Sequence, residues 1–336
     1  MSTSDSCKDG ASKSNNDVCR ELEEKLQNMS TADVSVCANC GKEGANNICN
    51  KCKQVKYCNA VCKKVHKKKH KKDCEEHIRL VAEKRDEELF KQPPPRDDCP
   101  ICFLLVPLRS TGSKYYACCG EIICSGCSYA PVYDNQGNKV ANKKCPFCRT
   151  PYLKSTDDHG VTNEEALERL KKRVEKDDPM AIYTLGWYYS QGLKGFPQDY
   201  KKALELWYRA GELGYDEAYC NIGYAYDYGR GVEVDKKKAT YYTERAAMGG
   251  SVHARLHLGN SEADEGNFDR ALKHYMIATE SGDTESLEEI QELYTDGHAT
   301  KEEYMKALKT YQEYLGEIKS LQRDKAATAN EKYRYY

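Results

Sequence analysis

The chain lacks any stretch suited to crossing a membrane as a helix, and two of its aromatic residue types are scarce. Phenylalanine occurs only 5 times and tryptophan twice in 336 residues. No run of 18 apolar residues is present, so no transmembrane helix is expected. Met1 to Cys19 has no apolar core, and a secretory signal peptide is not expected there. A surplus of either charge is also missing. The 52 Lys and Arg residues face 53 Asp and Glu, for a net charge of -1. Any binding of a polyanion must then be local rather than a property of the whole chain. No phosphate loop, nucleophile elbow or paired acid–base constellation occurs, which excludes the commoner kinds of metabolic chemistry.

Cysteine, by contrast, is abundant and unevenly placed. Of 18 cysteines, 17 lie before residue 149, and only Cys220 lies beyond it. The chain is expected to be intracellular, cytoplasmic or nuclear. In such a reducing compartment, C-x-x-C pairs point to metal rather than to disulfides.

Residues 1–36 are rich in Ser, Asp, Asn and Lys and read as disordered, with one short helix over 20–29. From 37 to 74 the donors run Cys37-x2-Cys40-x8-Cys49-x2-Cys52-x5-Cys58-x3-Cys62-x7-His70-x3-Cys74. Eight thiolate and imidazole donors suit two tetrahedral zinc ions. Residues 75–91 lack Gly and Pro and read as a linker helix. Pro93, Pro94 and Pro95 end it, giving a helical and proline linker over 75–98. The spacing over 37–74, with Tyr57 before Cys58, resembles the MYND finger. The resemblance implies Cys37, Cys40, Cys58 and Cys62 on one zinc, with Cys49, Cys52, His70 and Cys74 on the other. MYND fingers often bind proline-rich peptides. Asn59, Lys63 and Lys67 depart here from the family's usual Ser, Gln and Trp, which counts against that mode. MYND fingers also accompany methyltransferase domains, for which the repeat half leaves no room.

Seven lysines (63, 64, 67, 68, 69, 71 and 72) follow in a cluster without an intervening acid. They admit two readings, a phosphate-binding or nuclear-targeting patch and a solvated helix face. No aromatic residue interleaves them for base stacking, which favours the solvated face over nucleic acid as a partner.

A second donor set runs Cys99-Pro-Ile-Cys102, Cys118-Cys119, Cys124-x2-Cys127 and Cys145-Pro-Phe-Cys148. Over 99–150 its order resembles a RING finger. That resemblance implies Cys99, Cys102, Cys124 and Cys127 on one zinc, and Cys118, Cys119, Cys145 and Cys148 on the other. Two registers stay open: both adjacent cysteines ligate, or Cys119 pairs with Glu121, which stands where the one-His form has histidine. Thiolate is the commoner structural donor. RING fingers recruit a ubiquitin-conjugating enzyme and transfer ubiquitin without a covalent step on themselves. Ile101, Pro146 and Arg149 occupy the positions where the family contacts that enzyme. Four zinc ions are expected in all, held by 15 cysteines and His70.

Residues 177–318 repeat. Ala181-Ile-Tyr-Thr-Leu-Gly186 recurs at Ala218–Gly223 and Ala254–Gly259. Ala203–Trp207 recurs from Ala239, Ala271 and Ala307. Each unit reads as two helices that cannot bury their apolar faces alone and so must stack. Leu185-Gly186, Asp199, Ala203 and Trp207, with Gly223, Asp235 and Ala239 in the next unit, resemble SEL-one-like repeats, relatives of the tetratricopeptide repeat. The third unit is shorter, with a tight bend expected near Gly266. The fourth is degenerate and capping, and 319–336 reads as a tail. His253 and His257 share a helix spacing but have no third donor.

The expected architecture is multidomain: two small cross-braced zinc modules followed by an all-α helical-repeat solenoid. Three functions compete. One is a RING-type ubiquitin ligase whose repeats hold substrate or partner proteins, the second a non-enzymatic scaffold or adaptor, and the third a nuclear regulator using the lysine-rich segment.

Overall fold

The computed structural model describes residues 36–108, 111–131, 144–151 and 163–336. The readings for the first 35 residues, including the short helix over 20–29, lie outside them. The chain divides into two compact units, one ending at Lys91 and the other starting at Gln92. Among the described residues no helix is long and apolar enough to cross a membrane.

The first unit is a small hairpin and one long helix. Strands β1 (Asn47–Ile48) and β2 (Lys56–Tyr57) pair antiparallel, with Asn47 opposite Tyr57. Helix α1 then runs from Ala60 to Leu89. The linker helix read at 75–91 is therefore the continuation of the finger's own helix, since no breaker stands between Cys74 and Glu75. Asn59 caps α1, its side chain accepting from the Cys62 backbone N–H at 2.9 Å. Lys63 reaches back to the Ile48 carbonyl at 2.7 Å and Asn50 Oδ1 at 2.8 Å. Two of the three departures from the family pattern thus hold the finger together locally. Lys67 is exposed.

The second unit contains the second cysteine-rich module and the helical repeats. Strands β3 (Ser113–Tyr116) and β4 (Glu121–Cys124) form an antiparallel pair, and Ser113 faces Cys124. The turn between them carries Cys118 and Cys119, with Gly120 at φ +82°. Helix α2 (Ser125–Tyr129) follows directly.

The repeats begin after helix α3 (Asn163–Val174). Helices α4 (Pro179–Gln191), α5 (Tyr200–Glu212), α6 (Glu217–Tyr228), α7 (Lys236–Met248), α8 (Val252–Asp264), α9 (Phe268–Glu280), α10 (Thr284–Thr295) and α11 (Lys301–Ile318) pack in sequence order. The recurrent aspartates are N-caps: Asp199 accepts from the Lys202 N–H and Asp235 from those of Lys237 and Lys238. The recurrent glycines set helix spacing. A Cβ at Gly186 would lie 2.7 Å from Trp207 Nε1, and one at Gly223 would collide with Thr243 Oγ1. Gly259 meets the Tyr275 ring in the same way. The short third unit turns through Glu265–Asn267, with Gly266 at φ +80°.

Residues 319–336, read as a tail, are structured. Helix α12 (Leu321–Ala329) is followed by a 3-10 turn at Glu331–Tyr333. Helix α12 packs on α2 of the cysteine-rich module. Tyr314, Ile318 and Tyr335 form a small core there with Leu105. The proline segment also belongs to this unit. Gln92 donates to Glu280 at 3.1 Å, and the Arg96 guanidinium sits 5.0 Å from the Tyr314 ring centre.

Candidate metal centres

The donors converge into four quartets. They are Cys37, Cys40, Cys58 and Cys62; Cys49, Cys52, His70 and Cys74; Cys99, Cys102, Cys124 and Cys127; and Cys118, Cys119, Cys145 and Cys148. Within each quartet all donor atoms lie within 4.8 Å of one another. Each module is interleaved, the first and third donor pairs sharing one cluster and the second and fourth the other. In the first module that mixing ties the hairpin to α1, and in the second it ties three separate loops to the start of α2.

The spacings fit zinc. A tetrahedral ion with Zn–S bonds of about 2.3 Å requires sulfurs roughly 3.8 Å apart. Cys40 and Cys58 are 3.6 Å apart, Cys49 and Cys74 3.8 Å, Cys102 and Cys124 3.7 Å, and Cys119 and Cys145 3.8 Å. Cys52 Sγ lies 3.2 Å from His70 Nε2. All of these cysteines are free thiols rather than disulfides. Crowding pushes some thiols up: Cys58 to about 12, through hydrogen bonding to Cys62 and then burial, and Cys74 to about 11, through burial and hydrogen bonding to Cys52. A bound cation removes that penalty, which is why a thiolate quartet and its metal form together.

The same distances group Cys118, and not Glu121, with the donors of the second module. Cys148 Sγ lies 3.5 Å from Cys118 Sγ, while Glu121 belongs to none of the quartets. Glu121 instead pairs in register with Tyr116 on the β3–β4 ladder.

A shared backbone device builds the C-x-x-C corners. The residue after the second cysteine is left-handed in four of them: Gly41 (φ +75°), Lys53 (+58°), Phe103 (+55°) and Arg149 (+62°). The amide of that residue donates to the first cysteine's carbonyl, as Phe103 does to Cys99 at 2.9 Å and Arg149 to Cys145 at 3.1 Å. Three of the four positions carry a side chain where glycine would be less costly by about 1 kcal/mol.

Of the three residues read as partner contacts, Ile101 and Arg149 are exposed and Pro146 is buried. Phe103 (76 % exposed) and Phe147 (43 %) are apolar side chains on the same corners that the sequence reading passed over. Their signal was present, an aromatic within or just after C-x-x-C, but its exposure was not readable.

Neighbouring helices support the module. Arg173 donates to the carbonyls of Ala117 and Cys118 at 3.3 and 3.2 Å, and Tyr115 donates to Asp178 Oδ2 at 2.7 Å. Outside the modules, Cys220 is buried in the repeats, and burial holds its thiol well above the usual range. His253 lies 3.0 Å from Glu217, and His257 is 3.9 Å from Asp227.

The MYND finger family matches residues 37–74, and the Sel1 repeat matches residues 179–215 and 216–251. An uncharacterized protein of Neisseria meningitidis is 26 % identical over 145 residues, covering 43 % of this chain and 30 % of that protein. Chitin synthase regulatory factor 3 of Schizosaccharomyces pombe is 28 % identical over 134 residues, covering 38 % of this chain and 14 % of that protein. The matched part thus spans less than a third of either relative. A crystal structure of a Sel1 repeat protein from Oxalobacter formigenes is 27 % identical with a TM-score of 0.39, covering 51 % of this chain and 67 % of that one. The uropathogenic Escherichia coli protective antigen c5321, described as displaying an SLR fold, is 24 % identical with a TM-score of 0.38, over 49 % of this chain and 36 % of that one. The chain carries a MYND finger, two Sel1 repeats and, between them, a second pair of cysteine quartets that can hold zinc.

Proposed function

We propose that the sixteen donors bind four zinc ions and that the protein is a RING-type ubiquitin ligase. The second module would recruit a ubiquitin-conjugating enzyme and the repeats a substrate or partner protein. The observation that carries this reading is the form of the second module. Its quartets are interleaved, and two of its metal-holding corners, Cys99–Cys102 and Cys145–Cys148, each present an exposed apolar residue, Ile101 and Phe147. A zinc-braced surface of this kind suits docking, because the corners are rigid without a hydrophobic core beneath them. Arg149 stands exposed next to the last thiol and would orient a thioester-linked ubiquitin, which is catalysis by positioning.

The lysine cluster adds little to a nucleic-acid reading. Lys63 is occupied by the β1 strand and loop, and Lys71 lies 3.9 Å from Glu75.

Discharge of ubiquitin from a panel of thioester-loaded conjugating enzymes tests the proposal. Zinc-loaded protein should accelerate discharge from at least one of them. Ile101→Ala should weaken capture of that enzyme, by more than about 1 kcal/mol if Ile101 anchors the contact. Arg149→Gly should abolish the acceleration while raising stability slightly, because the position is left-handed. Protein holding its full zinc that accelerates discharge from no enzyme would leave the scaffold or adaptor reading, with the repeats as the working surface.

A further inference from the structure

Each zinc module pairs a guarded quartet with an open one. Cys40 and Cys148 are exposed. They belong to the quartets of Cys37, Cys40, Cys58 and Cys62 and of Cys118, Cys119, Cys145 and Cys148. The other two quartets contain no exposed donor. In the first module Cys52, His70 and Cys74 are buried, and Cys49 is half-buried. In the second, Cys99, Cys124 and Cys127 are buried. Cys102, half-buried, is backed by the Arg323 guanidinium, with Nη2 3.8 Å from its sulfur.

Each exposed thiol has a second cysteine at hand. Cys148 Sγ lies 3.5 Å from Cys118 Sγ, and Cys40 Sγ lies 3.6 Å from Cys58 Sγ. Cys118 and Cys58 are half-buried. Thr150 Oγ1 lies 3.0 Å from Cys148 Sγ. The hydroxyl donates once that sulfur is ionised, because a thiolate can only accept.

A cysteine that ligates zinc is a thiolate, the form that reacts with peroxides. Exposed thiolates react first, and a neighbouring cysteine resolves the first product to a disulfide. Among the described residues, exposure and a resolving partner occur together only in the two open quartets.

We infer that Cys40 and Cys148 are sites of oxidation by hydrogen peroxide, which converts each open quartet to a disulfide, Cys40–Cys58 or Cys118–Cys148, with loss of its zinc. The inference rests on the quartets holding zinc. The Cys148 thiolate attacks one peroxide oxygen, the O–O bond breaks and hydroxide leaves, giving a sulfenic acid on Cys148. The Cys118 thiolate then attacks that sulfur. Its S–O bond breaks, a second hydroxide leaves, and the S–S bond forms. Two protons from solvent turn both hydroxides into water. The two thiolates lose two electrons and the peroxide gains two. Cys40 and Cys58 react in the same way. The two thiolates left in each quartet are too few to retain a structural zinc. A dithiol reductant reverses the change by exchange. The Cys145–Cys148 corner carries Phe147 and Arg149, so oxidation there alters the face proposed for docking, while the Cys99–Cys102 corner keeps its metal.

Native mass spectrometry of full-length, zinc-loaded protein during a stepwise titration with hydrogen peroxide tests this. The count before peroxide reads the zinc proposal by itself. From four ions, two should leave first, and the count should hold at two before any further loss. Alkylation and peptide mapping at that plateau should find Cys40–Cys58 and Cys118–Cys148 as disulfides, with none in the guarded quartets. Dithiothreitol with added zinc should restore four ions. Thr150→Val keeps every donor but removes the hydrogen bond to Cys148, which should raise the nucleophilicity of that thiolate. One of the two fast ions should then leave severalfold sooner, with the starting zinc content unchanged. Parallel loss of all four ions, loss of none, or disulfides confined to the guarded quartets would overturn the inference, while a starting count of four would leave the zinc reading intact. Release of both fast ions at the wild-type rate from the Thr150→Val protein would overturn the assignment to Cys148.

Discussion

Arg323, on helix α12, points its guanidinium at Cys102, a donor of the second module 221 residues earlier in the chain, with Nη2 3.8 Å from Sγ. The same side chain donates to the Leu104 carbonyl at 3.3 Å and the Ile318 carbonyl at 2.6 Å, and it is fully buried. A cation donating to a ligating thiolate stabilises the ionised form and fixes its direction. The C-terminal helix thereby becomes part of the environment of a zinc cluster. Arg323→Met keeps most of the volume but strands two carbonyls, so it should cost at least about 2 kcal/mol. Zinc release to a chromogenic chelator should accelerate only from the second module, where Arg323 touches the quartet of Cys99, Cys102, Cys124 and Cys127. Release kinetics identical to wild type would show that α12 merely lies nearby.

The register of the adjacent cysteines can be tested by substitution. Cys118 lies 3.5 Å from Cys148, so Cys118→Ser should remove about one zinc ion per chain and destabilise the module. Glu121→Gln should retain full metal, since Glu121 stands outside the quartets. Elemental analysis of the two purified variants decides, and the opposite pattern would make Glu121 the donor.

Spacing within the repeats predicts opposite effects at two glycines. Gly223→Ala would drive a methyl group into Thr243 and toward the Ala239 carbonyl at 3.2 Å, and should cost about 1–3 kcal/mol. Gly316→Ala in α11 meets nothing within 4 Å and should stabilise by roughly 0.5–1 kcal/mol by removing backbone freedom from the unfolded chain. Thermal denaturation of both variants is the check, and equal shifts would rule out helix contact as the reason for the recurrent glycine.

Acid sensitivity should arise partly at His274 on α9. Burial, with Arg255 and then Arg270 nearby, holds its imidazole down at about 3. A base with a depressed pKa is protonated more readily in the unfolded chain, so its stabilising contribution is complete above pH ~6.5 and declines as pH falls below that. The slope approaches about 1.4 kcal/mol per pH unit for one proton. His274→Gln should flatten the stability profile between pH 6.5 and 5 relative to wild type, zinc loss being common to both. Parallel profiles would exclude His274 as a source.

The quartets were legible because their spacing is local: each C-x-x-C corner closes within five residues, and its donor types name the metal. The repeated Asp and Gly positions were visible as a pattern, although their separate roles as caps and contact points needed coordinates. Donor spacing puts a boundary at Cys74, the last ligand of the first module, whereas helix α1 runs through it to Leu89 because no helix breaker stands there. Helix α12 was missed for a different reason. Leu321–Ala329 has no strong apolar stripe, and what orders it is contact with loops some 220 residues away, a relationship with no local signal.

All four quartets should hold metal at once in one chain. Native mass spectrometry of the full-length protein, purified without added chelator and then titrated with zinc, measures this directly. Saturation at four zinc ions per chain, released only when a chelator is added, is the expected result. Saturation at two, with the thiols of Cys99–Cys148 still open to alkylation, would contradict it.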